Sequence, residues 1–359
     1  MREYEVIVVG AGPAGLGAAI EVAKAGGRPL LLDENNRPGG QLFKQIHKFF
    51  GSKEHYAGTR GFVIGRQLLD TAHELGVDFQ LDTKVWGIFP DGSITATDGE
   101  TSVRYRGKYI ILATGASENA LSFPGCTLPG VITAGAAQTF INVENVLPGR
   151  EIVIVGSGNV GLIVSYQLMQ AGANVKAILE ALNEVSGYEV HAAKVRRAGV
   201  PILLSHTVAR AFGNGSLEAV EVVRLDDSLC PVPGSEQIIH CDTLCLAVGL
   251  TPRVDLAGVA KCKMSYSPAL GGMLPWHDEW MQTTQERILV AGDLAGIEEA
   301  STALDEGRMA GVSAAHKLGL LTDETAKEMR EEILRRLEVL RAGPVGEKRR
   351  VAKHDIWQR

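Results

Sequence analysis

A glycine turn near the N-terminus constrains the fold of this 359-residue chain more than any other feature of the sequence. An apolar run at residues 6–9 leads into the turn GAGPAG at residues 10–15, and an alanine-rich segment with helical spacing follows. A second apolar run at residues 30–32 ends shortly before an acid, Glu34. A strand, a glycine turn, a helix, a strand and an acid in this order are typical of a βαβ unit that binds a dinucleotide.

Each glycine of the turn has its own steric role in such a unit. Gly10 allows the tight turn, Gly12 lets a pyrophosphate approach the backbone, and Gly15 lets the helix pack close to the strand. The helix N-terminus adds partial positive charge and free N–H groups, which suit a diphosphate. Glu34 is predicted to accept hydrogen bonds from the 2′-hydroxyl of a ribose.

The same pattern recurs in residues 151–180. The turn GSGNVG at residues 156–161 follows another apolar run, and its acid, Glu180, lies 24 residues after the first glycine of the turn. Glu34 lies 24 residues after Gly10. Each copy continues through similar apolar runs to a strand that ends in glycine, YIILATGA in the first copy and TLCLAVG in the second. Two copies of one unit, and therefore two bound nucleotides, are predicted.

The late part of the chain indicates that the second copy is inserted in the first. A strand pattern at residues 287–291, then Gly292-Asp293 and a helical pattern at 298–318, follow the second copy and are best placed back on the first domain. The predicted fold class is α/β, with two doubly wound, Rossmann-like nucleotide-binding domains, the second inserted in the first. The predicted divisions are residues 1–117 with 250–320, residues 118–249, and a C-terminal amphipathic helix with a basic tail at 321–359.

Composition excludes several classes of protein. The net charge of −6 implies no general affinity for nucleic acid. A predicted strand begins within five residues of the N-terminus, and no apolar run reaches membrane-spanning length. A cytoplasmic protein that does not contact the membrane is therefore expected. The five cysteines show neither zinc nor cluster spacing, so no metal site is predicted.

Five motifs stand in the order found in the two-dinucleotide flavoproteins, the pyridine nucleotide-disulfide oxidoreductases in the broad sense. They are GxGxxG at 10–15, GGQ at 39–41, ATG at 113–115, GxGxxG at 156–161 and AGD at 291–293. The chain resembles this family over nearly all of residues 1–320. Its size and the GGQ motif resemble thioredoxin reductase. The segments HKFFG at 47–51 and GMLPW at 272–276 resemble segments found in subunits of amine and amino-acid dehydrogenases. Examples are the alpha subunit of sarcosine oxidase, opine oxidase and dye-linked proline dehydrogenase.

One departure from the family concerns cysteine. Thioredoxin reductase has a C-x-x-C in its second nucleotide domain, but residues 127–145 contain no cysteine. Glutathione-reductase relatives carry their pair early, and residues 34–60 contain none either. A dithiol relay needs two thiols within exchange distance. Disulfide reduction by that mechanism is therefore not expected.

The resemblance implies FAD in the first unit. The pyrophosphate would be held by the first glycine turn, at Gly10, Gly12, Pro13, Ala14 and Gly15. Glu34 would hold the adenosine ribose, and the backbone of Val85 would contact the adenine. The ribityl chain and flavin would be held by Gly39, Gly40, Gln41 and Asp293, and the remaining contacts would come from Thr114 and Gly115. The helix that begins near Ser301 and Thr302 would point its N-terminus at the pyrimidine edge of the flavin, which favours the anionic reduced form. Simple helix capping is the alternative role for these two residues.

The second unit is expected to hold NAD(H). The implied contacts are Gly156, Gly158, Asn159, Val160, Gly161 and Glu180. Glu180 favours NAD over NADP because a carboxylate repels a 2′-phosphate, and no arginine follows until Arg196. An adenine nucleotide bound without redox chemistry is an alternative for this site.

These features predict an FAD-dependent oxidoreductase that exchanges a hydride with NAD(H). Electrons would pass to or from a second dehydrogenase subunit or an iron–sulfur carrier, in an oligomer of the amine or amino-acid dehydrogenase type. The alternatives are a self-contained NADH:acceptor reductase with a small-molecule redox substrate, and a scaffold subunit that binds nucleotides without redox chemistry. The sequence identifies no catalytic side chain, because hydride transfer between stacked rings needs neither an acid nor a base.

Overall fold

The computed structural model describes residues 1–49 and 52–358, which divide into two compact units. The first comprises Met1–Ser117 and Leu250–Arg359, and the second comprises Glu118–Gly249. The predicted α/β class, with the second Rossmann-like domain inserted in the first, is confirmed. Three residues lie outside the described ranges: Phe50 and Gly51 of the HKFFG segment, and Arg359 of the predicted tail.

Helices and strands alternate along much of the chain, as a repeated βαβ pattern requires. Within the described ranges, no helix combines the length and apolar character needed to cross a membrane. In chain order the elements are β1 (Arg2–Val9), α1 (Pro13–Lys24), β2 (Pro29–Leu32), α2 (Gly61–Glu74), β3 (Asp78–Gln80), β4 (Lys84–Ile88), β5 (Ser93–Thr97), β6 (Ser102–Leu112), β7 (Ala116–Glu118), β8 (Val131–Thr133), α3 (Ala134–Asn142), β9 (Glu151–Val155), α4 (Asn159–Gln170), β10 (Asn174–Glu180), α5 (Glu189–Arg197), β11 (Ile202–Leu204), β12 (His206–Phe212), β13 (Ala219–Arg224), β14 (Gln237–His240), β15 (Thr243–Leu246), β16 (Leu250–Pro252), α6 (Asp255–Val259), β17 (Met264–Ser267), β18 (Gly272–Pro275), β19 (Ile288–Val290), α7 (Ala300–Lys317), α8 (Asp323–Leu340) and α9 (Pro344–Trp357).

The first unit is built on a seven-stranded sheet. Its parallel part has the order β3-β2-β1-β6-β19, and β5 and β4 continue from β6 as an antiparallel ribbon. The central strand β1 contains Val6, Ile7 and Val8, all fully buried. Helices cover both faces of a parallel sheet, so its central strands are apolar throughout rather than alternating. The late strand β19 completes the sheet that begins at the N-terminus.

Small residues allow α1 and α7 to pack closely in the first unit. A Cβ on Gly307 of α7 would collide with the main-chain carbonyl of Ala14, and a Cβ on Gly17 would lie 2.8 Å from the carbonyl oxygen of Leu304. Larger side chains at these positions would push the two helices apart. The glycines therefore bring the start of α7 close to the glycine turn that precedes α1.

The second unit repeats this design. Its five-stranded parallel sheet has the order β11-β10-β9-β15-β8, and β12, β13 and β14 form an antiparallel ribbon. Along β9, Ile152 and Ile154 pack into one apolar core, while Val153 and Val155 pack into another on the opposite face. Alternate side chains of a strand point to opposite faces, so the two cores mark a sheet covered on both sides.

The C-terminal region differs from the prediction in one respect. Helix α8 forms as predicted, and its Ile333 and Leu337 are buried in the core of the first unit. The basic tail predicted after it is instead a further helix, α9, which begins at Pro344. Proline is favoured in the first turn of a helix, where no N–H is needed. Lys353 of α9 is fully buried, because carboxylates of the first unit neutralise it.

Candidate functional site

The glycine turn between β1 and α1 is shaped by contacts within the protein. Gly10 has a φ of +107°, in the left-handed region that favours glycine, and a Cβ there would collide with the carbonyl group of Ala113. A Cβ on Gly15 would collide with the carbonyl oxygen of Gly10. Packing alone therefore requires both glycines.

Gly12 differs, because no described part of the protein requires a glycine there. Its φ of −73° and ψ of −175° suit any residue, and a Cβ would have no described atom within 4 Å. Gly158 of the second turn is equivalent, with a φ of −64°, a ψ of 172° and no described atom within 4 Å of a Cβ. Both are N-cap residues, of α1 and α4, so the open space adjoins helix N–H groups that suit a phosphate.

The GGQ loop lies against the first turn. The N–H of Gly39 donates to the carbonyl of Ala11 at 2.7 Å, and a Cβ on Gly40 would lie 2.8 Å from the Cα of Gly12. Both loop glycines have positive φ, so the tight approach depends on them. The structure thus brings Gly39 and Gly40 to the open space at Gly12, while the side chain of Gln41 is exposed.

The acid that follows β2 at the turn is Asp33, not Glu34 as the residue count predicted. Asp33 is buried, and its Oδ2 accepts the N–H of Ala11, the second residue of the turn, at 2.6 Å. Glu34 is exposed and pairs with Arg253 at 2.7 Å. In the second unit, Glu180 accepts from the equivalent N–H, so Asp33 is its counterpart.

A β-bulge explains why the count was wrong. In the first unit, β1 and β2 pair without a break, and Val9 lies opposite Leu32. In the second unit, the register of β9 and β10 shifts between Val175 and Ala177. A bulge inserts one extra residue, so the acid of the second unit lies one residue further from its glycine turn.

Three other candidates lie at strand ends in the first unit. Val85 of β4 is partly buried against the core, at a register shift between Val85 and Gly87. Thr114 and Gly115 follow β6, and the Thr114 hydroxyl donates to the carbonyl of Arg253 at 2.9 Å. The N–H of Arg253 donates to the Gly115 carbonyl at 3.0 Å. Thr114 and Gly115 therefore tie the end of β6 to the chain where it returns to the first unit.

Asp293 lies in the 3-10 turn Gly292–Ala295, directly after β19. Burial, together with the negative charges of Glu306 and Glu298, raises the pKa of Asp293 to about 7. This carboxyl group is therefore protonated more readily than that of an exposed aspartate.

Ser301 and Thr302 lie in the first turn of α7, as predicted. The Thr302 hydroxyl donates to the carbonyl of Glu299 at 2.6 Å, so this contact is not a capping bond to a helix N–H. Ser301 lines a cavity of about 10 Å³ together with Pro13 of the glycine turn and Leu42, which follows the GGQ loop. Pro13 and Ser301, both predicted to bind FAD, therefore line one cavity of the first unit.

The same cavity is lined by a buried histidine and aspartate that the sequence did not single out. His55 Nε2 lies 3.8 Å from Asp305 Oδ2, and Arg308 pairs with Asp305 at 2.8 Å. Burial lowers the pKa of His55, which favours the neutral form of its ring, while the charge of Asp305 opposes this shift. In the sequence these residues are far apart, and only the fold places them together.

The second glycine turn repeats the first. A Cβ on Gly156 or on Gly161 would collide with main-chain carbonyl groups. Asn159 and Val160 begin α4, and the side chain of Asn159 accepts the N–H of Tyr188 at 2.8 Å. Val160 is exposed. The predicted residues of this turn are therefore brought together around Gly158.

Glu180 ends β10 and is buried. Its Oε2 accepts the N–H of Ser157 at 3.0 Å and the hydroxyls of Ser157 and Ser186, while its Oε1 accepts the N–H of Leu182 at 3.0 Å. Burial opposes ionisation, but these hydrogen bonds outweigh it and hold the pKa of Glu180 below its ordinary value. The site therefore presents an oriented carboxylate at neutral pH.

The loop after the second strand also repeats between the units. The N–H of Gly187 donates to the carbonyl of Ser157 at 2.9 Å, as that of Gly39 does to Ala11 at 2.7 Å. Ser157, Ser186 and Gly187 were not predicted from the sequence as site residues. The available signal was the glycine that follows the second apolar run in each copy.

Three of the five cysteines lie in surroundings that suppress their reactivity. Cys241, Cys245 and Cys262 are buried, Cys126 is half-buried, and Cys230 is exposed. Burial raises the pKa of Cys241 to about 12 and also raises the pKa values of the Cys245 and Cys262 thiols. The thiolate is the reactive form, so these three thiols are inert at neutral pH.

A thiol titration checks this assignment. At pH 8 the native protein is expected to react rapidly with a disulfide reagent such as DTNB at no more than two of its five cysteines, Cys230 and Cys126. In denaturant all five should react, which provides the internal control. Rapid reaction of three or more native thiols would show that the buried cysteines are accessible.

The comparison with known families decides where the chain belongs. The family described as pyridine nucleotide-disulphide oxidoreductase matches residues 4–307, which include both glycine turns and Asp293. The chain belongs to this family. It is therefore a flavin-dependent oxidoreductase, and the family pairs FAD with NAD(P).

Curated relatives of this pyridine nucleotide-disulphide oxidoreductase include named subunits of larger enzymes. An opine oxidase subunit from Rhizobium meliloti (strain 1021) is 30% identical over 90% of this chain and 73% of that protein. The HcnB subunit of hydrogen cyanide synthase from Pseudomonas protegens is 30% identical over 92% of this chain and 74% of that protein. The alpha subunit of sarcosine oxidase from Corynebacterium sp. (strain P-1) is 28% identical over 88% of this chain, which spans 33% of that protein.

Solved structures share the fold at low sequence identity. The thioredoxin reductase of T. acidophilum gives a TM-score of 0.74 at 21% identity, covering 89% of this chain and 99% of that one. The L-proline dehydrogenase of P. horikoshii gives 0.70 at 22% identity, covering 93% of this chain and 59% of that one. These similarities establish the two-domain architecture and nothing beyond it.

Proposed function

We propose that the chain exchanges a hydride between NAD(H) and FAD and passes electrons to or from a partner subunit or carrier. The first unit, Met1–Ser117 with Leu250–Arg359, would hold FAD, and the second, Glu118–Gly249, would hold NAD(H). FAD supplies the hydride and electron chemistry when it is bound. The residues of the chain bind the two nucleotides, orient them and select between NAD and NADP.

The observation that carries the proposal is the pair Gly12 and Gly158. No described contact or backbone angle requires glycine at either position, yet both turns have one there, at the N-cap of a helix. A side chain would fill the space that a pyrophosphate needs to reach the helix N–H groups. A ligand at each turn accounts for both glycines.

The residues of the first unit fit an FAD molecule. We assign the ribose contact to Asp33 in place of Glu34, because Asp33 stands beside Ala11 of the turn. Gly39 and Gly40 leave the main chain open to the ribityl chain. Asp293 would bond a ribityl hydroxyl, and its raised pKa would favour the protonated form that can donate that hydrogen bond. The N-terminus of α7 would stabilise negative charge on the reduced flavin.

The second unit fits NAD(H) better than NADP(H). Glu180 is held ionised, and its position at the end of β10 matches the acid that accepts a ribose 2′-hydroxyl. A 2′-phosphate at this position would face the carboxylate directly. Substitution of NADPH for NADH is therefore expected to raise the concentration needed for flavin reduction by about 100-fold, equivalent to ~2.7 kcal/mol of repulsion.

The partner is proposed from the relatives and from the cysteines. Opine oxidase, hydrogen cyanide synthase and sarcosine oxidase are named as enzymes with subunits. The sequence has no C-x-x-C, so it lacks the dithiol that would carry electrons on to a small disulfide substrate. A second dehydrogenase subunit or an iron–sulfur protein would take that place.

An anaerobic titration with NADH tests the proposal. The purified chain is expected to be yellow and to lose its absorbance near ~450 nm at about one NADH per FAD, because a flavin takes up one hydride. NADPH provides the matched control for Glu180. A yellow protein that NADH leaves oxidised would refute hydride exchange and favour a scaffold role. Rapid turnover of the isolated chain with a quinone or dye would favour the self-contained reductase.

A further inference from the structure

The first unit contains a buried ion cluster that the proposed flavin site does not itself explain. It consists of two acids and two bases whose side chains are at most 4% exposed. The members come from the loop before α7, from α7, from the residue after α8, and from α9: they are Glu298, Glu306, Arg341 and Lys353. We name this set the buried ion cluster.

The cluster is closely bonded internally. The guanidinium of Arg341 bonds both carboxylate oxygens of Glu298, with distances of 2.6 and 2.9 Å, and reaches Glu306 at 2.8 Å. Lys353 Nζ lies 2.6 Å from Glu306 and 3.9 Å from Glu298. The two positive and two negative charges balance, so the cluster is neutral as a whole.

Two members of the cluster, Glu306 and Lys353, bond the turn that carries Asp293. Glu306 Oε2 accepts the N–H of Gly292 at 3.2 Å, at the start of the turn. Lys353 Nζ donates to the carbonyl of Ala295 at 2.8 Å, at its end. Both ends of the turn are therefore bonded to the cluster, and Arg341 acts on the turn through its bond to Glu306.

Stability alone is a weak reason for such a cluster. Desolvating charges costs free energy that their attraction only partly offsets, and an apolar cluster of similar volume is often at least as stable. Buried ion pairs do restrict geometry, because each group has few alternative partners. A role in positioning accounts better for four buried charges around one short turn.

We propose that Arg341 and Lys353 are positioning residues for the flavin: through the buried ion cluster they hold the Gly292–Ala295 turn in the conformation that binds the ribityl chain. This inference rests on the proposed assignment of FAD to the first unit. Both bases lie beyond residue 307, where the family match ends. The C-terminal helix α9 is then a part of the cofactor site that the shared family region does not include.

The inference is tested by the affinity for FAD of the full-length apoprotein, measured from the quenching of flavin fluorescence. Lys353→Met keeps the length of the side chain but removes the charge and the bond to Ala295. It is expected to raise the dissociation constant of FAD at least about tenfold, since it leaves a buried carboxylate uncompensated beside the turn. Lys348→Met, at an exposed position of the same helix, is the matched control and should not change the affinity.

A double variant separates the effect of the unpaired Glu306 charge from the effect of the lost hydrogen bond to Ala295. Lys353→Met combined with Glu306→Gln removes one charge of each sign, so it is expected to recover at least half of the lost affinity on a logarithmic scale, as coupled neighbours do. Circular dichroism and thermal unfolding of each apoprotein establish that it is folded. If Lys353→Met does not fold, Arg341→Lys takes its place. It keeps the charge but loses the bidentate bond to Glu298, and the same rise is expected.

The outcomes distinguish this inference from the proposed function. Wild-type protein that does not bind FAD refutes the proposed function and the inference with it. Wild-type protein that binds FAD, with Lys353→Met or its replacement binding equally tightly, overturns the inference alone. A Lys353→Met defect that the second substitution does not relieve would assign the effect to the lost hydrogen bond to Ala295 rather than to the unpaired charge, and would support Lys353 as a positioning residue.

Discussion

Replacing Gly158 by valine is expected to abolish reduction of the bound flavin by NADH while leaving the flavin content of the protein unchanged. The φ of −64° and ψ of 172° at this position suit valine, and its Cβ would meet no described atom within 4 Å, so the protein itself tolerates the change. The side chain would instead fill the space proposed for the pyrophosphate. The concentration of NADH needed for reduction should rise at least about 100-fold, or ~2.7 kcal/mol.

Anaerobic stopped-flow measurement of flavin absorbance against NADH concentration gives this result directly. Gly12→Val is the mirror control in the first unit, where the same steric reasoning predicts a folded protein that has lost FAD. Gly161→Val provides the contrast, because its Cβ would collide with the main chain and the variant should be unstable without any ligand. Normal reduction kinetics in Gly158→Val would show that NADH does not use the second glycine turn.

Replacing Asp33 by alanine is expected to remove FAD, whereas Glu34→Ala should leave it bound. Asp33 is buried and its carboxylate bonds the N–H of Ala11, so its loss leaves a buried donor unpaired, at a cost of about 1–3 kcal/mol. The proposed bonds to the ribose would be lost as well, and a charged hydrogen bond contributes about 1.5–3 kcal/mol. The unpaired donor lowers stability with or without FAD, so the lost ribose bond sets the change in affinity, and the dissociation constant of FAD should rise by about 10- to 150-fold.

The two substitutions are compared by the ratio of FAD to protein after gel filtration and by the affinity of the apoprotein for added FAD. Glu34 is exposed and pairs only at the surface, with Arg253 at 2.7 Å and Lys84 at 3.7 Å, so its removal is expected to have little effect. The opposite ranking, with Glu34→Ala losing FAD and Asp33→Ala retaining it, would restore the assignment based on residue counting.

Most of the architecture could be read from the sequence, because it follows from local patterns that occur twice. Apolar runs without alternation predict buried parallel strands, and a glycine turn between a strand and a helix predicts a dinucleotide site. The late strand, now β19, could be returned to the first sheet because an unfinished parallel sheet needs another strand. The family resemblance rested on five short motifs in a fixed order. Each of these signals is contained in one short segment of the chain or in the order of such segments, so it can be recognised without the tertiary structure.

The sequence by itself determined the two nucleotide-binding units, their order and the glycine turns at their centres. The tertiary structure decided which acid stands at the first turn, because a bulge in β10 changes the residue count without any mark in the sequence. It also decided that residues 344–357 form a helix whose Lys353 is buried with Glu306, and that His55 faces Asp305. These pairings join residues that are far apart in the chain, so their free energies depend on distances that only the folded protein sets.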